Sequence, residues 1–419
     1  MNALFGAAAL FALVLLRQPL LLILAAGTAF VHVVLANSKF DYMIQDVWTA
    51  LDKEILLAIP MFLLAGAVMT RGSIAKRLIR IMIALTAPIP GGISVATVLS
   101  CAIFAAISGS SIVTMLAVGT VMFPALISNG YPRSFSIGLI CASGTLGIII
   151  PPSIPMILFG IMTETSITKL FLAGIVPGLL LAFLLAGYSV LVNRHRDRSN
   201  WDQDEILASI RSGFFALALP VLLLGGIYSG YFTPTEAAAA ALVYSLIVEG
   251  LIHREIGFRD FYEIVGSTAS LMGMLLPLVA FATSLSVIMD YERVPQAIVA
   301  WVQTFIDSRT TFLIAANAIL LLAGCVMDVG SAIVILAPLL MPLALVYGVD
   351  PVHFGIVMNV NLEIGYITPP VGLNLFVAIA AFKASFSEVC RSVLPFIVIM
   401  LFGLLLITAV PALSLWVIS

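Results

Sequence analysis

Long apolar runs recur along almost the whole chain, and they restrict its fold more than any other feature of the sequence. The runs 212–228, 264–289 and 392–417 contain no Asp, Glu, Lys or Arg. About 20 apolar residues let a helix cross the hydrocarbon core of a bilayer. The runs are continuous rather than alternating, which favours helices over a transmembrane barrel. The sequence therefore predicts an all-α polytopic membrane protein.

The composition excludes several classes of soluble protein. Of the 419 residues, 62% are apolar and 10% are charged, whereas a soluble protein carries about 25% charged residues. An ordinary soluble enzyme, a secreted disulfide scaffold and a nucleic-acid binder do not fit these values. The four cysteines lie in or beside apolar runs without metal-ligand spacing, so packing is the expected role of each. The apolar run 3–16 is expected to be a retained membrane segment.

Charged stretches divide the chain into four parts. We predict N-terminal membrane and interfacial segments over 1–54, a first repeat over 55–193, a cytoplasmic loop with a scaffold helix pair over 194–270, and a second repeat over 271–419. The loops 194–211 and 253–260 are rich in arginine, and two crossings separate them, so they lie on one side of the membrane. The positive-inside rule makes that side cytoplasmic.

An internal repeat relates the second and fourth parts. The residues that recur 218 positions later are Pro124, Gly130, Gly147, Pro151 and Pro152, which return as Pro342, Gly348, Gly365, Pro369 and Pro370. Halves with Gly- and Pro-broken apolar segments at matching positions are typical of secondary transporters. Each half is predicted to hold a re-entrant helical hairpin, over about 93–127 and 311–347, and a broken helix, over about 134–163 and 353–382. Hairpin arms of about 15 residues are expected to be too short to cross the membrane, and the halves are expected to be inverted.

Each half has two interruptions, and all four are expected to meet at one site, because non-helical backbone at membrane depth must line a cavity or be buried in protein. In the first half they are 108–111 and 143–152; in the second they are 328–331 and 361–370. Free carbonyls and side-chain oxygens suit a hard cation such as Na⁺, and helix N-termini suit an anion. Asp328 and Glu363 are ionisable residues deep in apolar runs, which makes them functional candidates.

These interruptions supply the candidate site residues. The predicted sodium site comprises Ser108, Gly109, Ser110, Ser143, Thr145, Gly147, Asp328, Gly330, Ser331, Glu363, Gly365 and Thr368. The predicted substrate site comprises Ser108, Ser110, Ser111, Pro151, Pro152, Asn361, Thr368 and Pro369. The alternative for any single Ser or Gly is close helix packing, and for Glu363 it is a protonated structural role. Glu236, after Thr233 and Pro234, is expected to mark a helix start.

Three segments carry a resemblance to a known family. The runs SGSSIVTMLAVGTVMFPALISNGYPRSFSIGLICASGTLGIIIPPSIPMILFG, GYFTPTEAAAAALVYSL and EIGYITPPVGLNLFV resemble the large membrane subunit of TRAP (tripartite ATP-independent periplasmic) transporters. The resemblance implies an elevator-type transporter of the bacterial inner membrane with two inverted repeats. It implies Na⁺-coupled uptake of an organic acid anion, such as a sialic acid or a C4-dicarboxylate, with sodium sites at the hairpin tips and the facing helix breaks.

The resemblance also implies two partner proteins. These are a small four-helix membrane subunit, expected on a separate chain, and a periplasmic substrate-binding protein. A sodium/dicarboxylate symporter that needs no binding protein is the alternative within transport. An intramembrane enzyme would need paired aspartates or Ser with His on facing helices, and a passive assembly subunit would not need paired broken helices. No phosphate-binding GxxxxGK[ST] motif occurs, which disfavours a nucleotide-driven pump.

Overall fold

The chain is helical throughout the part that can be described. The computed structural model describes residues 18–36, 38–196 and 198–418, together with residues 13 and 16. These residues contain helices, turns and loops but no β-strand, which confirms the predicted all-α class. The predicted membrane run 3–16 lies outside the described residues except for residues 13 and 16.

Twenty α-helices follow one another in the described residues. The first ten are α1 (Leu20–Phe30), α2 (Phe40–Leu51), α3 (Ala58–Arg71), α4 (Ile74–Thr86), α5 (Gly92–Ser108), α6 (Ser111–Ser128), α7 (Arg133–Gly144), α8 (Leu146–Ile149), α9 (Ile154–Thr163) and α10 (Ile167–Val192). The others are α11 (Gln203–Tyr228), α12 (Pro234–Leu246), α13 (Phe258–Tyr291), α14 (Val294–Val302), α15 (Arg309–Val326), α16 (Val329–Val346), α17 (Pro351–Tyr366), α18 (Leu373–Phe382), α19 (Phe386–Ala409) and α20 (Ala412–Leu415). A 3₁₀ turn at Glu54–Leu57 leads into α3, and π-helical turns at Val31–Leu35 and Ile247–Ile252 extend α1 and α12.

The helix lengths confirm a multi-pass membrane protein and correct one expectation. Among the described residues nine helices are long and apolar enough to span a bilayer, or up to ten if the bent pair Arg133–Ile149 and Ile154–Thr163 forms one span. The hairpin arms α5, α6, α15 and α16 contain 17 or 18 residues, not about 15. At 1.5 Å per residue such an arm extends about 26 Å, close to the thickness of the hydrocarbon core. Three of the four arms, α6, α15 and α16, are long enough to count as candidate spans, so the expected shortness is wrong for them, whereas α5 is shorter. Helix length therefore does not distinguish these arms from ordinary spans.

The two hairpins approach from opposite ends of one long helix, α10, which has 26 residues. Just after its C-terminus, Arg196 donates hydrogen bonds to the carbonyl oxygens of Asn129 (3.0 Å) and Gly130 (2.7 Å), at the base of the α5–α6 hairpin. Near its N-terminus, the Leu170 side chain packs against Gly355, the fifth residue of α17, where a Cβ would stand 2.7 Å from it. Helix α17 follows the α15–α16 hairpin. The bases of hairpin 1 (α5–α6) and hairpin 2 (α15–α16) are thus about a helix length apart.

Polar side-chain bonds sort the helices into two sets. We call α1–α4 and α11–α13 the scaffold helices, and α5–α10 and α15–α19 the core helices. Pairs within the scaffold helices are Arg71 with Asp260 and Glu263, Arg80 with Glu205, and His32 with Ser284. Pairs within the core helices are Arg133 with Glu388, Asn361 with Asn317, and Asn374 with Ser111. Among the described helices two side-chain polar contacts join the two sets. Thr283 Oγ1 lies 3.8 Å from Met162 Sδ, and the Thr86 hydroxyl donates to the Gly92 carbonyl oxygen at 2.8 Å, at the corner where the chain passes from α4 to α5.

One predicted helix start is confirmed by its cap geometry. Thr233 Oγ1 accepts a hydrogen bond from the Glu236 amide at 3.2 Å, and Glu236 Oε2 accepts one from the Thr233 amide at 2.8 Å. This reciprocal capping box satisfies backbone donors that the first turn of α12 leaves free. Glu236 therefore has the structural role that its spacing predicts.

We expect replacement of Gly138 by alanine to destabilise the core helices. A Cβ at Gly138 in α7 would overlap the backbone oxygen of Ser392 in α19, so these helices would have to separate. Overpacking of this kind costs typically 1–3 kcal/mol, which should appear as a lower thermal unfolding temperature in detergent. Gly187→Ala in α10 is the control, because a Cβ there meets no atom within 4 Å. Equal unfolding temperatures for the two variants would contradict this packing.

Candidate binding site at the hairpin tips

The tips of both hairpins line one cavity, which lies between the core and scaffold helices. Its volume is ≈ 320 Å³, and it is partly open rather than fully enclosed. Hairpin 1 contributes Gly109, Ser110 and Ser111, and hairpin 2 contributes Asp328 and Gly330. The scaffold wall is apolar and consists of Leu63 from α3 with Leu271 and Leu275 from α13. The remaining lining residues are Ile112, Val113, Ile148, Ile154, Pro155, Leu158, Val329 and Tyr366.

Three helix N-termini face this cavity. Helices α6, α9 and α16 begin at Ser111, Ile154 and Val329, and each of these residues lines it. A helix N-terminus carries a partial positive charge and free backbone N–H groups, so it attracts anions. The lining residues include no Lys or Arg. An anion bound here would therefore be stabilised by helix ends and by any cation that binds with it.

Glycine and a backbone hydrogen bond shape the tip of hairpin 1. Gly109 ends α5 in a left-handed conformation (φ +59°), which a glycine adopts without strain. A Cβ there would also stand 3.0 Å from the Pro152 carbonyl oxygen. The Ile154 amide donates to the Gly109 carbonyl oxygen at 3.4 Å, so the tip is joined to the broken helix of its own half. The buried Ser108 hydroxyl hydrogen-bonds the Thr114 hydroxyl at 2.6 Å.

The tip of hairpin 2 repeats this connection. The Gly372 amide donates to the Cys325 carbonyl oxygen at 3.0 Å, and Gly372 stands 218 residues after Ile154. Each donor comes two residues after a Pro-Pro pair, and both Pro-Pro bonds are cis. Asp328 caps α16, because its carboxylate accepts hydrogen bonds from the Ser331 amide (2.9 Å) and from the Ser331 hydroxyl. The predicted ligand Asp328 is thus at the cavity and is also a helix cap.

A buried polar cluster behind hairpin 1 joins the two halves. Glu363 in α17 is 0% exposed, and neither of its carboxyl oxygens has a hydrogen-bond partner of normal geometry among the described residues. The Ser111 hydroxyl lies beside this carboxyl group. Asn374 Nδ2 donates to Ser111 Oγ at 2.5 Å, and the side-chain oxygen Oδ1 of Asn374 is buried without a hydrogen-bond partner in the described part of the chain. The Glu363 carboxyl group and the Asn374 side-chain oxygen, both from the second half, therefore lie next to the Ser111 hydroxyl of the first half.

Two predicted glycines allow helices to cross closely. A Cβ at Gly147 would stand 2.5 Å from the Ser110 carbonyl oxygen, and one at Gly365 would stand 2.6 Å from the Gly324 carbonyl carbon. Both positions therefore need the absence of a side chain. This supports the packing alternative for Gly147 and Gly365, and it holds each broken helix against the hairpin of its own half.

Several predicted residues lie outside the cavity lining. The Thr145 hydroxyl donates to the Ala142 carbonyl oxygen at 2.6 Å and contacts Met400, so it faces α19. Nδ2 of the Asn361 side chain donates to Asn317 Oδ1 at 2.6 Å. The Thr368 hydroxyl donates to the Ile364 carbonyl oxygen, also at 2.6 Å. The other predicted residues that do not line it are Ser108, Ser143, Gly147, Pro151, Pro152, Ser331, Glu363, Gly365 and Pro369.

Sequence reasoning did not find Asn374 or the leucine wall, and it included Tyr366 in the predicted interruption 361–370 without naming it as a site residue. Asn374 is a lone amide in an apolar helix, and that signal could have singled it out. Leu271 and Leu275 are one helical turn apart in a uniformly apolar run, so no sequence signal distinguishes them from lipid-facing residues. Only the packing of α13 against the tips shows their position.

Comparisons with known proteins agree with this architecture. The family model "Tripartite ATP-independent periplasmic transporter, DctM component" matches residues 7–413. The "C4-dicarboxylate TRAP transporter large permease protein DctM" of Pseudomonas aeruginosa is 45% identical over 363 residues, covering 86% of this chain and 85% of that protein.

A second relative is longer than this chain. The "Isethionate TRAP transporter permease protein DctMQ" of Oleidesulfovibrio alaskensis is 40% identical over 417 residues, which are 99% of this chain and 65% of that protein. Among solved structures, the YdaH transporter of Alcanivorax borkumensis has a TM-score of 0.65 at 15% identity, over 88% of this chain and 87% of that one. The likeness to YdaH shows the fold alone.

We expect Asp328→Ala to lower the free energy of unfolding by about 1 kcal/mol, because α16 loses its N-cap. Asp328→Ser should retain most of that stability, since a serine hydroxyl can accept the same backbone hydrogen bond. Thermal unfolding in detergent without Na⁺ measures the capping contribution separately from ion binding. An equal loss of stability in both variants would show that capping is not what Asp328 contributes.

Proposed function

This chain belongs to the DctM component family of tripartite ATP-independent periplasmic transporters, and from this premise we propose that it is the large permease subunit of a sodium-coupled importer. The cargo would be an organic acid anion of the C4-dicarboxylate or sialic acid type. The observation that carries the proposal is the meeting of two hairpin tips and three helix N-termini at one cavity. That geometry favours an anion without any cationic side chain.

The names of two relatives support an anionic cargo. One is named for C4-dicarboxylates and the other for isethionate, which carry carboxylate and sulfonate groups. In our proposal one such group binds at the N-termini of α6, α9 and α16, and the rest of the molecule faces the leucine wall. The Asp328 carboxylate at the same cavity would repel the anion unless a cation binds with it.

We propose that Na⁺ is this cation. Buried polar groups in native structures are almost always paired, so the unpaired oxygens of Glu363 and Asn374 beside Ser111 call for a ligand. A monovalent hard cation would match one carboxylate, one amide oxygen and one hydroxyl. A second ion would bind at the hairpin 2 tip, near Asp328 and Ser331. Each Na⁺ that enters contributes about 2.3 kcal/mol per 100 mV of membrane potential.

An elevator movement fits the polar bonding of the helices. Bonds within each set hold it together as a unit. Among the described helices only two side-chain contacts cross between the sets, a weak sulfur contact and the bond of Thr86 with Gly92 at the corner where the chain itself links α4 to α5. A boundary of apolar side chains can slide without leaving hydrogen-bonding groups unpaired. We propose that the core helices carry the site across the membrane against the scaffold helices. The approach of the hairpins from opposite ends of α10 supports inverted repeats.

The proposal includes two partner proteins and the bacterial inner membrane. A periplasmic binding protein would deliver the anion, and a small membrane subunit on a separate chain would pack against the scaffold helices. The longer DctMQ relative is consistent with a second subunit fused in that protein. Helix α2 exposes Phe40, Tyr42, Ile44 and Trp48, and such an amphipathic surface suits lipid or the small subunit.

Reconstitution tests this function directly. The chain, a small subunit and a binding protein from the same genome are placed in proteoliposomes, and uptake of a labelled organic acid is followed with an inward Na⁺ gradient. We expect uptake that requires all three proteins and that stops when K⁺ replaces Na⁺. Uptake without the binding protein would instead support the binding-protein-independent symporter, and uptake in K⁺ would contradict sodium coupling.

We expect Glu363→Gln to raise the Na⁺ concentration for half-maximal uptake by about tenfold or more, the size of a lost charge-assisted interaction. Na⁺-dependent thermal stabilisation of the purified protein should weaken in parallel. Thr145→Val is the matched control, because the Thr145 hydroxyl bonds to the Ala142 carbonyl oxygen and contacts Met400 of α19 rather than the cluster of Glu363, Asn374 and Ser111. A Glu363→Gln variant with unchanged Na⁺ dependence would remove Glu363 from the sodium site.

A further inference from the structure

The scaffold contains a fully buried carboxylate that the proposed transport site does not use. Glu249 lies on the π-helical turn Ile247–Ile252 after α12, and it is 0% exposed. It does not line the cavity at the hairpin tips. A buried carboxylate is costly unless it is hydrogen-bonded or paired with a charge, so its partners indicate its role.

Those partners lie at the start of α4. Glu249 Oε1 accepts a hydrogen bond from the amide of Ile74, the first residue of that helix, at 2.7 Å. Glu249 Oε2 lies 3.4 Å from the Ser73 hydroxyl and 3.5 Å from His253 Nδ1. Ser73 occupies the N-cap position but makes no side-chain capping bond. The Glu249 carboxylate, 175 residues away in the chain, therefore supplies the cap of α4.

The corner between α3 and α4 is shaped for this carboxylate. A Cβ at Gly72 would overlap the carboxyl group of Glu249. The Ser73 hydroxyl accepts a hydrogen bond from Arg77 Nε at 3.0 Å and so brings a positive charge near the buried carboxylate. A π-helical turn changes the direction in which the following side chains point relative to an α-helix, and such turns are frequent at functional sites. The π-helical turn Ile247–Ile252 contains Glu249, the residue whose carboxylate reaches α4.

Further polar bonds hold α4 on the scaffold along its length. Arg77 Nη1 donates to the Ser212 carbonyl oxygen at 3.1 Å, and Arg80 forms two hydrogen bonds to Glu205, at 2.7 and 2.9 Å. Both partners belong to α11. The opposite side of α4 packs against α5 of hairpin 1, and among the described residues no side-chain hydrogen bond joins the two helices except that of Thr86 with Gly92 at their shared corner. Helix α4 is thus the last scaffold element before the chain enters the core helices.

We propose that Glu249 is a positioning residue for transport, which holds the N-terminus of α4 on the scaffold so that hairpin 1 moves against a fixed helix. This inference rests on the proposed function. Without the cap, the first turn of α4 loosens and follows hairpin 1, and the movement of the core helices becomes less productive. Because Glu249 is outside the cavity, its loss should lower the maximal uptake rate and leave the half-saturation concentrations of substrate and Na⁺ unchanged.

Hydrogen exchange tests the capping contact without any transport. The variants Glu249→Ala and Glu249→Gln are compared with the wild type in the full complex with the small subunit. We expect backbone amides in the segment 72–78 to exchange roughly tenfold faster in Glu249→Ala, the size of a lost cap, and less so in Glu249→Gln, whose amide oxygen can still accept one bond. Glu255→Gln is the control, since Glu255 is exposed in the same connection. Unchanged exchange in Glu249→Ala would overturn the inference.

Uptake kinetics with a double-mutant cycle test the positioning role. Gly72→Ala should displace the Glu249 carboxylate and lower the maximal rate, as Glu249→Ala does. The double variant Gly72→Ala/Glu249→Ala should be no slower than Glu249→Ala alone, because both changes break one contact. Additive effects of the two substitutions on the maximal uptake rate would overturn the positioning role of Glu249. A changed half-saturation concentration for substrate or Na⁺ with an unchanged maximal rate would also overturn it. Since hydrogen exchange needs no transport, a wild type that takes up no substrate would contradict the proposed function alone.

Discussion

Every backbone polar group in a bilayer must find a partner within the protein, and this requirement determines where the membrane helices of this molecule can be broken. A break in a membrane helix leaves backbone N–H and C=O groups without their helical partners. Here each break lies close to a second break, whose backbone forms a hydrogen bond with one of these groups. The Ile154 amide bonds to the Gly109 carbonyl, and the Gly372 amide bonds to the Cys325 carbonyl. Each broken helix and the hairpin of its half are therefore parts of one bonded unit, and the site exists only where these units meet.

The same requirement explains why the helices divide into two sets. Side-chain bonds inside the membrane must be satisfied in every conformation that the protein adopts, so polar bonds across a moving boundary would be broken in each cycle. Polar pairs such as Arg71 with Asp260 and Arg133 with Glu388 lie within one set. In the part of the chain that the structure describes, the boundary contains leucines, one sulfur contact and the bond of Thr86 with Gly92 at the α4–α5 corner. In the mechanism that we propose, the core helices would slide along such a boundary without breaking the polar pairs within either set.

Much of this organisation could be predicted from the sequence, and the failures have a common cause. Gly and Pro mark where a helix must stop, so the tip of hairpin 1 at 108–111 could be located from residue types alone. The bounds predicted in the second half were wrong: α16 already begins at Val329, so the tip of hairpin 2 is at Met327 and Asp328, and α17 continues to Tyr366, so the break predicted over 361–370 begins at Ile367. Residue types do not show the direction in which a side chain points, which is why Thr145 was expected at the site although it faces Met400. Nor do they show which residues of another half are near, so Asn374 beside Ser111 was missed. The arm lengths were underestimated because the helices continue into the polar tip residues, so that α5 ends at Ser108 and α6 begins at Ser111.

A comparison of two buried glutamates shows how structural and functional carboxylates can be told apart. Glu249 and Glu363 are both 0% exposed in apolar surroundings. Glu249 has a backbone amide, a hydroxyl and a histidine within reach, so its charge is compensated by the protein alone and it acts as a fixed cap. Among the described residues Glu363 has no hydrogen-bond partner of normal geometry, and it lies next to an unpaired amide oxygen. In our proposal Na⁺ supplies the missing partner, and a carboxylate that needs a bound ion is suited to a site that must be occupied before the core helices move.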